Sequence, residues 1–271
     1  MTIAGIAGER WAPRHDRARE VIAAHLAATP LVASPALGDG WVRSSVDGSA
    51  PAGVEWLDLT LLGSAAVLAQ GQAPQGPQHP MSFFITSTTE GSGNLGGLAG
   101  ADRICQNLAQ AAGAGGKTWH AYLSQTQQGN EPAINARGRI GPGPWYNAKG
   151  TLIASNVADL HGDQLRDRNN VQKANMLDEK GQLIKGFGDM PNQHDILTGS
   201  DSDGRAFPPG FDATCNNWTS DGADHKAMLG HADRQGGGNV SWNSVHMSAD
   251  CTKAGLIRTG GAGHLYCFAI N

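Results

Sequence analysis

The chain carries little charge and no excess of either sign. Charged residues make up 16% of its 271 residues, and the formal net charge at pH 7 is −4. A dedicated nucleic-acid-binding protein concentrates Lys and Arg, so this class is excluded. No apolar run reaches the roughly 18–20 residues of a membrane-spanning helix. We therefore expect neither a nucleic-acid partner nor a membrane span.

Common sequence patterns of enzymes and metal sites are also missing. The ten histidines form no HxxxH or HExxH pattern, no GxSxG segment occurs, and the four cysteines include no CxxC pair. We therefore expect no metal, no cofactor and no catalytic residues. His231, His246 and His264 could still meet through the fold, which keeps an unrecognised hydrolase as an alternative.

Glycine and proline are plentiful, with 38 and 13 residues, and predict many turns. Residues 1–53 are predicted to be a poorly structured extension upstream of the true start. Residues 54–69 contain an apolar run of about 13 residues, the length of a secretory signal core. A short buried helix is the alternative. Residues 70–80 form a Pro/Gln/Gly linker, and the globular domain covers residues 81–271.

This domain alternates short strand patterns with one clear helix. β-Branched and aromatic residues predict a strand at 82–88, and alternation predicts strands at 118–125 and 263–270. Apolar residues at helical spacing predict a helix at 100–113. Long stretches of Gly, Asn, Asp and Pro separate these elements. The pattern indicates a mixed, loop-rich domain with few helices, which needs more than apolar burial to hold its loops.

All four cysteines lie in this domain, at Cys105, Cys215, Cys251 and Cys267. Their even number, together with a secretion signal, predicts two disulfides. Four cysteines allow three connectivities, and spacing does not choose between them. Crosslinks over such separations contribute roughly 4–5 kcal/mol each at best, comparable with the net stability of a domain. We expect reduction to unfold the protein.

Two further features have a structural and a ligand-binding interpretation. Asp201 and Asp203 in "GSDSDGR" resemble a fragment of a calcium loop, but the other oxygen ligands are missing at the required spacing. A turn in which Arg205 pairs with a carboxylate is favoured. Trp218 and Trp242 are predicted core anchors. The alternative is that these rings stack on a sugar while neighbouring amides bind its hydroxyls.

The order of these blocks resembles endostatin, the C-terminal domain of certain collagens, and bacterial endostatin-like domains of the C-type lectin-like fold superfamily. The resemblance covers residues 81–271. It rests on "GNLGGLAGADRICQNLAQAAG", "TWHAYLSQ", "ILTGSDSDGRAF", "CNNWTSDG" and "CTKAGLIRTGGAGHLYCFAIN". It implies an α+β domain of C-type lectin-like/endostatin-like fold, with a loop-rich mixed sheet, few helices and two nested disulfides. These would be Cys105–Cys267 and Cys215–Cys251.

The ligand sites of these families are only partly matched. Calcium-dependent lectins have a Trp-Asn-Asp triplet, and here Trp242-Asn243-Ser244 replaces the acid with serine. This argues against calcium, the one cofactor considered. In endostatin, zinc is bound by an N-terminal segment rich in histidine. Here the corresponding region has only His79, so the resemblance does not imply a zinc site.

We therefore predict a secreted, periplasmic or cell-surface binding module that is not an enzyme. A glycan or an extracellular protein would bind the loop region between Cys215 and Cys251 and the adjoining 199–206 turn, because loops on a stapled scaffold commonly carry recognition. A structural or adhesion protein without a small ligand is the alternative. The candidate ligand-binding residues are Asp201, Asp203, Arg205, Asn216, Trp218, Trp242, Asn243 and His246.

Overall fold

The computed structural model describes residues 79–162, 169–236 and 239–271. The predicted extension at 1–53, the signal-like segment at 54–69 and the linker up to residue 78 lie outside the described residues. All described residues belong to one compact unit, Gln70–Asn271. None of the described helices is long and apolar enough to cross a membrane.

One long strand near the C-terminus organises the main sheet. This strand, β8 (Gly261–Ala269), is almost entirely buried. Its second half pairs antiparallel with β1 (Phe83–Ile85) on one side and with β2 (Trp119–Ala121) on the other. Its first half pairs in parallel with β5 (Asp195–Leu197). Because β8 has neighbours on both sides and is covered on both faces, its sequence is a nearly continuous apolar run.

The sheet continues from β5 towards an edge. Strand β6 (Met228–His231) pairs antiparallel with β5, and β7 (His246–Met247) pairs antiparallel with β6. The strand order is therefore β1-β8-β5-β6-β7, with β2 also joined to β8. A separate two-stranded sheet is formed by β3 (Trp145–Tyr146) and β4 (Leu152–Ala154).

Few residues are helical. The helices are α1 (Gly97–Ala111), α2 (Val157–His161), α3 (Cys215–Trp218) and α4 (Lys253–Arg258), with short 3₁₀ turns at Ala136–Gly138 and Lys173–Asn175. Asn156 and Thr252 cap α2 and α4, since their side chains accept backbone N–H groups. All four residues of α3 have positive φ angles, so this element is a left-handed turn.

Two apolar clusters cover the two faces of the main sheet. Successive residues of β8 point to opposite faces, so Leu265 and Cys267 join one cluster and Tyr266 and Phe268 join the other. The first cluster also receives α1. The second receives β3 and β4, including Trp145.

The two disulfides connect the elements in the nested pattern that the resemblance implies. Cys105 of α1 is bonded to Cys267 of β8, and Cys215 of α3 is bonded to Cys251 just before α4. The first bond fixes the helix on the sheet. The second ties the left-handed turn to the chain that follows β7.

The structure confirms the mixed α+β class, with loop-rich sheets and few helices, and adjusts the predicted boundaries. The strand predicted at 82–88 is only three residues long. Two residues beyond its end, Ser87 bonds the carboxylate of Glu179 and not a neighbouring strand. The helix begins three residues before the predicted start, at Gly97.

Candidate metal centre

Three strands bring four titratable side chains together near the open edge of the main sheet. Asp195 begins β5 directly after His194, His231 ends β6, and His246 begins β7. The strand register places Asp195 opposite His231. We call these four residues the histidine–aspartate cluster.

The distances among His194, Asp195 and His231 suit a single metal ion. Asp195 Oδ1 lies 3.4 Å from His194 Nε2, 3.1 Å from His231 Nε2 and 3.7 Å from His246 Nε2. The candidate ligand atoms of His194, Asp195 and His231 all lie within 4.8 Å of one another. Ligands bound tetrahedrally at zinc distances are about 3.3–3.6 Å apart.

The inner part of the cluster is buried, and three of its polar atoms have no hydrogen-bond partner among the described residues. His194, Asp195 and His231 expose only 3%, 1% and 3% of their surface. Neither oxygen of Asp195 accepts a hydrogen bond from a residue that the structure describes, and His231 Nδ1 has no described partner either. Burying a carboxylate without compensation costs several kcal/mol. A positive charge beside Asp195 would therefore stabilise the site.

A second carboxylate fixes the orientation of His194. Its Nδ1 lies 2.9 Å from Asp233 Oδ1. Burial opposes ionisation of Asp233, but hydrogen bonds from His194 and from the backbone N–H groups of Phe187 and Gln235 outweigh it and hold the pKa of Asp233 below its usual value. The Asp233 carboxylate accepts the Nδ1 proton of His194, so a neutral His194 turns the lone pair of Nε2 towards Asp195. This carboxylate–histidine pairing is typical of zinc ligands.

The donor set selects a class of ion. Imidazole nitrogens together with one carboxylate suit Zn²⁺ and similar divalent transition metals. Calcium takes six to eight oxygen ligands, and the cluster supplies a single carboxylate. All four cysteines are in disulfides, so no thiolate competes for the ion.

The predicted turn at 199–206 is stabilised by the carboxylate of Asp201, which lies within the turn. Asp201 Oδ1 accepts the backbone N–H groups of Asp203 and Arg205 at 2.9 and 2.8 Å. The guanidinium of Arg205 lies 3.9 Å from Asp203 Oδ2 in an exposed ion pair. This geometry agrees with the turn interpretation of "GSDSDGR".

The predicted aromatic residues are buried. Trp218 is fully buried and donates from Nε1 to Ser124 O at 2.8 Å, so its ring has no exposed face for a ligand. Trp242 is 4% exposed. Asn216, in the left-handed turn, is partly exposed and accepts a hydrogen bond from Gln128.

A polar cleft of about 330 Å³ lies where the two predicted loop regions meet. Ser202 of the 199–206 turn and Trp242 and Asn243 of the later loop line it, together with Asn169 and Arg234. Asn243 Nδ2 donates to the backbone oxygens of Asp201 and Ser202, which joins the two regions. Of the eight predicted ligand-binding residues, all of them described, only His246 belongs to the histidine–aspartate cluster.

His194 and Asp195 are absent from the residues predicted on the basis of sequence. Their one signal is an adjacent His-Asp pair before a short apolar strand, and the other two members follow 36 or more residues later. Strand pairing alone brings them together. No protein-family model matches the chain, and no curated protein matches it.

Proposed function

We propose that the protein is a disulfide-stabilised extracellular module that binds one Zn²⁺ ion on His194, Asp195 and His231. The observation that carries this proposal is the buried Asp195 carboxylate, which faces imidazole nitrogens but accepts no hydrogen bond from the described residues. A divalent cation supplies the missing positive charge and uses both the oxygen and the nitrogens as ligands.

The ionised Asp233 supports the same conclusion. It stabilises a His194 whose Nε2 is available to a metal, and partners of this kind are usual around zinc. The two disulfides support secretion or exposure in the cell envelope, because disulfides persist in oxidising compartments.

Calorimetric titration of chelator-stripped protein with Zn²⁺ tests the proposal. We expect one ion per chain, and we expect Asp195→Asn to weaken binding at least about 100-fold, since it removes both a charge and a ligand. His225→Gln is the matched control, because His225 forms a histidine–aspartate pair with Asp212 at a partly exposed position. Equal Zn²⁺ binding by Asp195→Asn and the unaltered protein would refute the site.

We further propose that the domain has the C-type lectin-like/endostatin-like fold and binds a glycan or an extracellular protein. The nested disulfides support the fold. The polar cleft, in which the two predicted loop regions meet, supports recognition there. A glycan array probed with and without chelator tests this. Binding only at multivalent surfaces favours an adhesion protein, and no binding under either condition removes the glycan proposal.

One observation favours a hydrolase as the second candidate. His231 and His246 lie beside Asp195, and a zinc ion with only three protein ligands can activate a water molecule. Zn²⁺-loaded protein would then hydrolyse an activated ester faster than the Asp195→Asn variant. Equal rates from the two proteins would remove this candidate.

A further inference from the structure

His246 occupies the exposed side of the histidine–aspartate cluster. Its side chain is 36% exposed, whereas those of His231 and Asp195 are 4% and 1% exposed. Its Nε2 lies 3.1 Å from His231 Nε2 and 3.7 Å from Asp195 Oδ1. His246 therefore covers the face of the cluster that would otherwise open to solvent.

The tautomer of His246 is set by the backbone of the next residue. Its Nδ1 lies 3.1 Å from the carbonyl oxygen of Met247. A carbonyl oxygen only accepts hydrogen bonds, so Nδ1 carries the proton and a neutral ring presents the lone pair of Nε2 to the cluster. A metal ligand requires that lone pair. The arrangement matches that of His194, whose Nδ1 is held by Asp233.

The position of His246 in the sheet gives the contact a structural consequence. Strand β7 has two residues and, within the described part of the chain, pairs only with β6. Gly230 of β6 lets the segment before β7 lie directly against β6, because a Cβ at Gly230 would come 1.9 Å from the carbonyl oxygen of Trp242. A ligand bond from His246 would tie this edge to β5 and β6.

We propose that His246 is the fourth protein ligand of the metal ion, so that the ion is enclosed and crosslinks β5, β6 and β7 at the edge of the sheet. This inference rests on the proposed zinc site of His194, Asp195 and His231. Four protein ligands in tetrahedral geometry define a structural zinc site, whereas a catalytic site keeps one position for water. The ion then stabilises the segment that carries Trp242 and Asn243 into the polar cleft.

Zinc affinity and cobalt spectroscopy of a His246→Ala variant test the assignment. We expect Zn²⁺ affinity to fall at least about 10-fold, the lower end of what loss of even an outer partner costs. The matched His225→Ala control should leave the affinity unchanged. Co²⁺ bound to the unaltered protein should show the intense visible absorption of a tetrahedral site, and His246→Ala should change that spectrum as water replaces imidazole.

Chemical modification of the unaltered chain provides a test that does not depend on the variant folding. Diethyl pyrocarbonate should modify His246 in chelator-treated protein, because the side chain is partly exposed. Zn²⁺ should protect it by engaging Nε2, and His225 should react equally under both conditions. Peptide mass mapping measures both residues.

The outcomes separate the two proposals. If the unaltered protein binds no Zn²⁺, the proposed function itself fails. If it binds Zn²⁺ but His246→Ala retains the same affinity and the same Co²⁺ spectrum, the metal site stands and the role of His246 is overturned. Equal modification of His246 with and without Zn²⁺ overturns that role as well.

Discussion

The left-handed turn at Cys215–Trp218 and the histidine–aspartate cluster both cost free energy on folding, but for different reasons. The turn has a strained backbone, with φ angles of 50°, 54°, 51° and 66° at four consecutive non-glycine residues. Each L-residue in this conformation costs roughly 1–2 kcal/mol. The cluster lies on ordinary strands, but both carboxylate oxygens of Asp195 and Nδ1 of His231 are buried without a hydrogen bond from the described residues.

The turn satisfies its own polar groups. The carboxylate of Asp212 accepts the backbone N–H groups of Thr214 and Asn216. The side chain of Asn217 pairs with both the N–H and the C=O of Thr126. A disulfide holds the start of the turn. These hydrogen bonds and the disulfide offset the backbone strain of the turn, so the strain is explained without a ligand.

The cluster differs because its inner side chains are buried while some of their polar atoms have no hydrogen-bond partner among the described residues. Asp195 is as buried as a core side chain, yet neither of its oxygens accepts a hydrogen bond from the described residues. In this domain the proposed zinc site therefore rests on polar atoms without hydrogen-bond partners, and backbone strain does not point to it. Four measurements sharpen or break this distinction, and a fifth tests a buried histidine outside both regions.

The largest expected effect is loss of the crosslink at the turn. Replacing both Cys215 and Cys251 by Ala should lower the free energy of unfolding by about 3–4 kcal/mol, because the unfolded chain gains the entropy of a 36-residue loop. Urea denaturation monitored by circular dichroism measures the change. A loss below about 1 kcal/mol would mean that hydrogen bonds alone hold the turn.

Zinc should stabilise the cluster by a comparable amount. At a free concentration of 100 times its Kd, Zn²⁺ should raise the free energy of unfolding by about 2.7 kcal/mol, because only the folded chain forms the site. Asp195→Asn should show no such gain. Thermal denaturation with buffered Zn²⁺ checks both proteins, and stabilisation of the variant by an equal amount would contradict the site.

Two carboxylates give a matched comparison in the presence of chelator. Asp212→Asn should destabilise the protein by about 1 kcal/mol, because it removes a charged hydrogen-bond acceptor from the turn. Asp195→Asn should leave the metal-free stability unchanged or raise it, since it removes an uncompensated buried charge. Urea midpoints measure both, and a larger loss for Asp195→Asn would reverse the distinction between the two regions.

The effect of backbone strain should be no larger than that of Asp212→Asn and should be confined to the turn. Asn tolerates the left-handed conformation better than Ala, so Asn216→Ala should cost about 1 kcal/mol, whereas Asn216→Gly should lie close to the unaltered protein. Differential scanning calorimetry compares the two variants. Equal melting temperatures would show that the strain at this residue is negligible.

The smallest effect concerns pH and a histidine outside both regions. Burial lowers the pKa of His264 below its model-peptide value of 6.5. The unfolded chain therefore binds this proton more readily, so the contribution of His264 to stability is present above pH 6.5 and is lost as the pH falls through 6.5 towards the folded pKa. In the presence of a chelator, the free energy of unfolding should fall less steeply between pH 7 and 5 in His264→Gln than in the unaltered protein. An unchanged slope would mean that His264 does not contribute.

Sequence patterns predicted the features that depend on local order. The apolar run at 263–270 corresponds to β8, and the helical spacing at 100–113 corresponds to α1. The four cysteines indicated two crosslinks. Strand length was less predictable, because side chains such as Ser87 bond distant residues and not a neighbouring strand.

The candidate site depends on information that local patterns lack. Asp195 meets His231 only through the register of β5 with β6, and His246 joins them only through the register of β6 with β7. A one-residue slip in either pairing would turn these side chains to opposite faces. Trp218 is buried as the sequence analysis favoured, but the left-handed turn that buries it is not suggested by its polar sequence neighbours.

The placement of β8 dictates an order of assembly during synthesis. Strands β1, β2 and β5 emerge from the ribosome before their shared neighbour exists, so none of them can complete its pairing until residues 261–269 have been made. The native disulfide of Cys105 likewise cannot form until Cys267 arrives, 162 residues later. Oxidative closure of this domain is therefore a late event, and enzymes that delay premature thiol pairing should increase its yield.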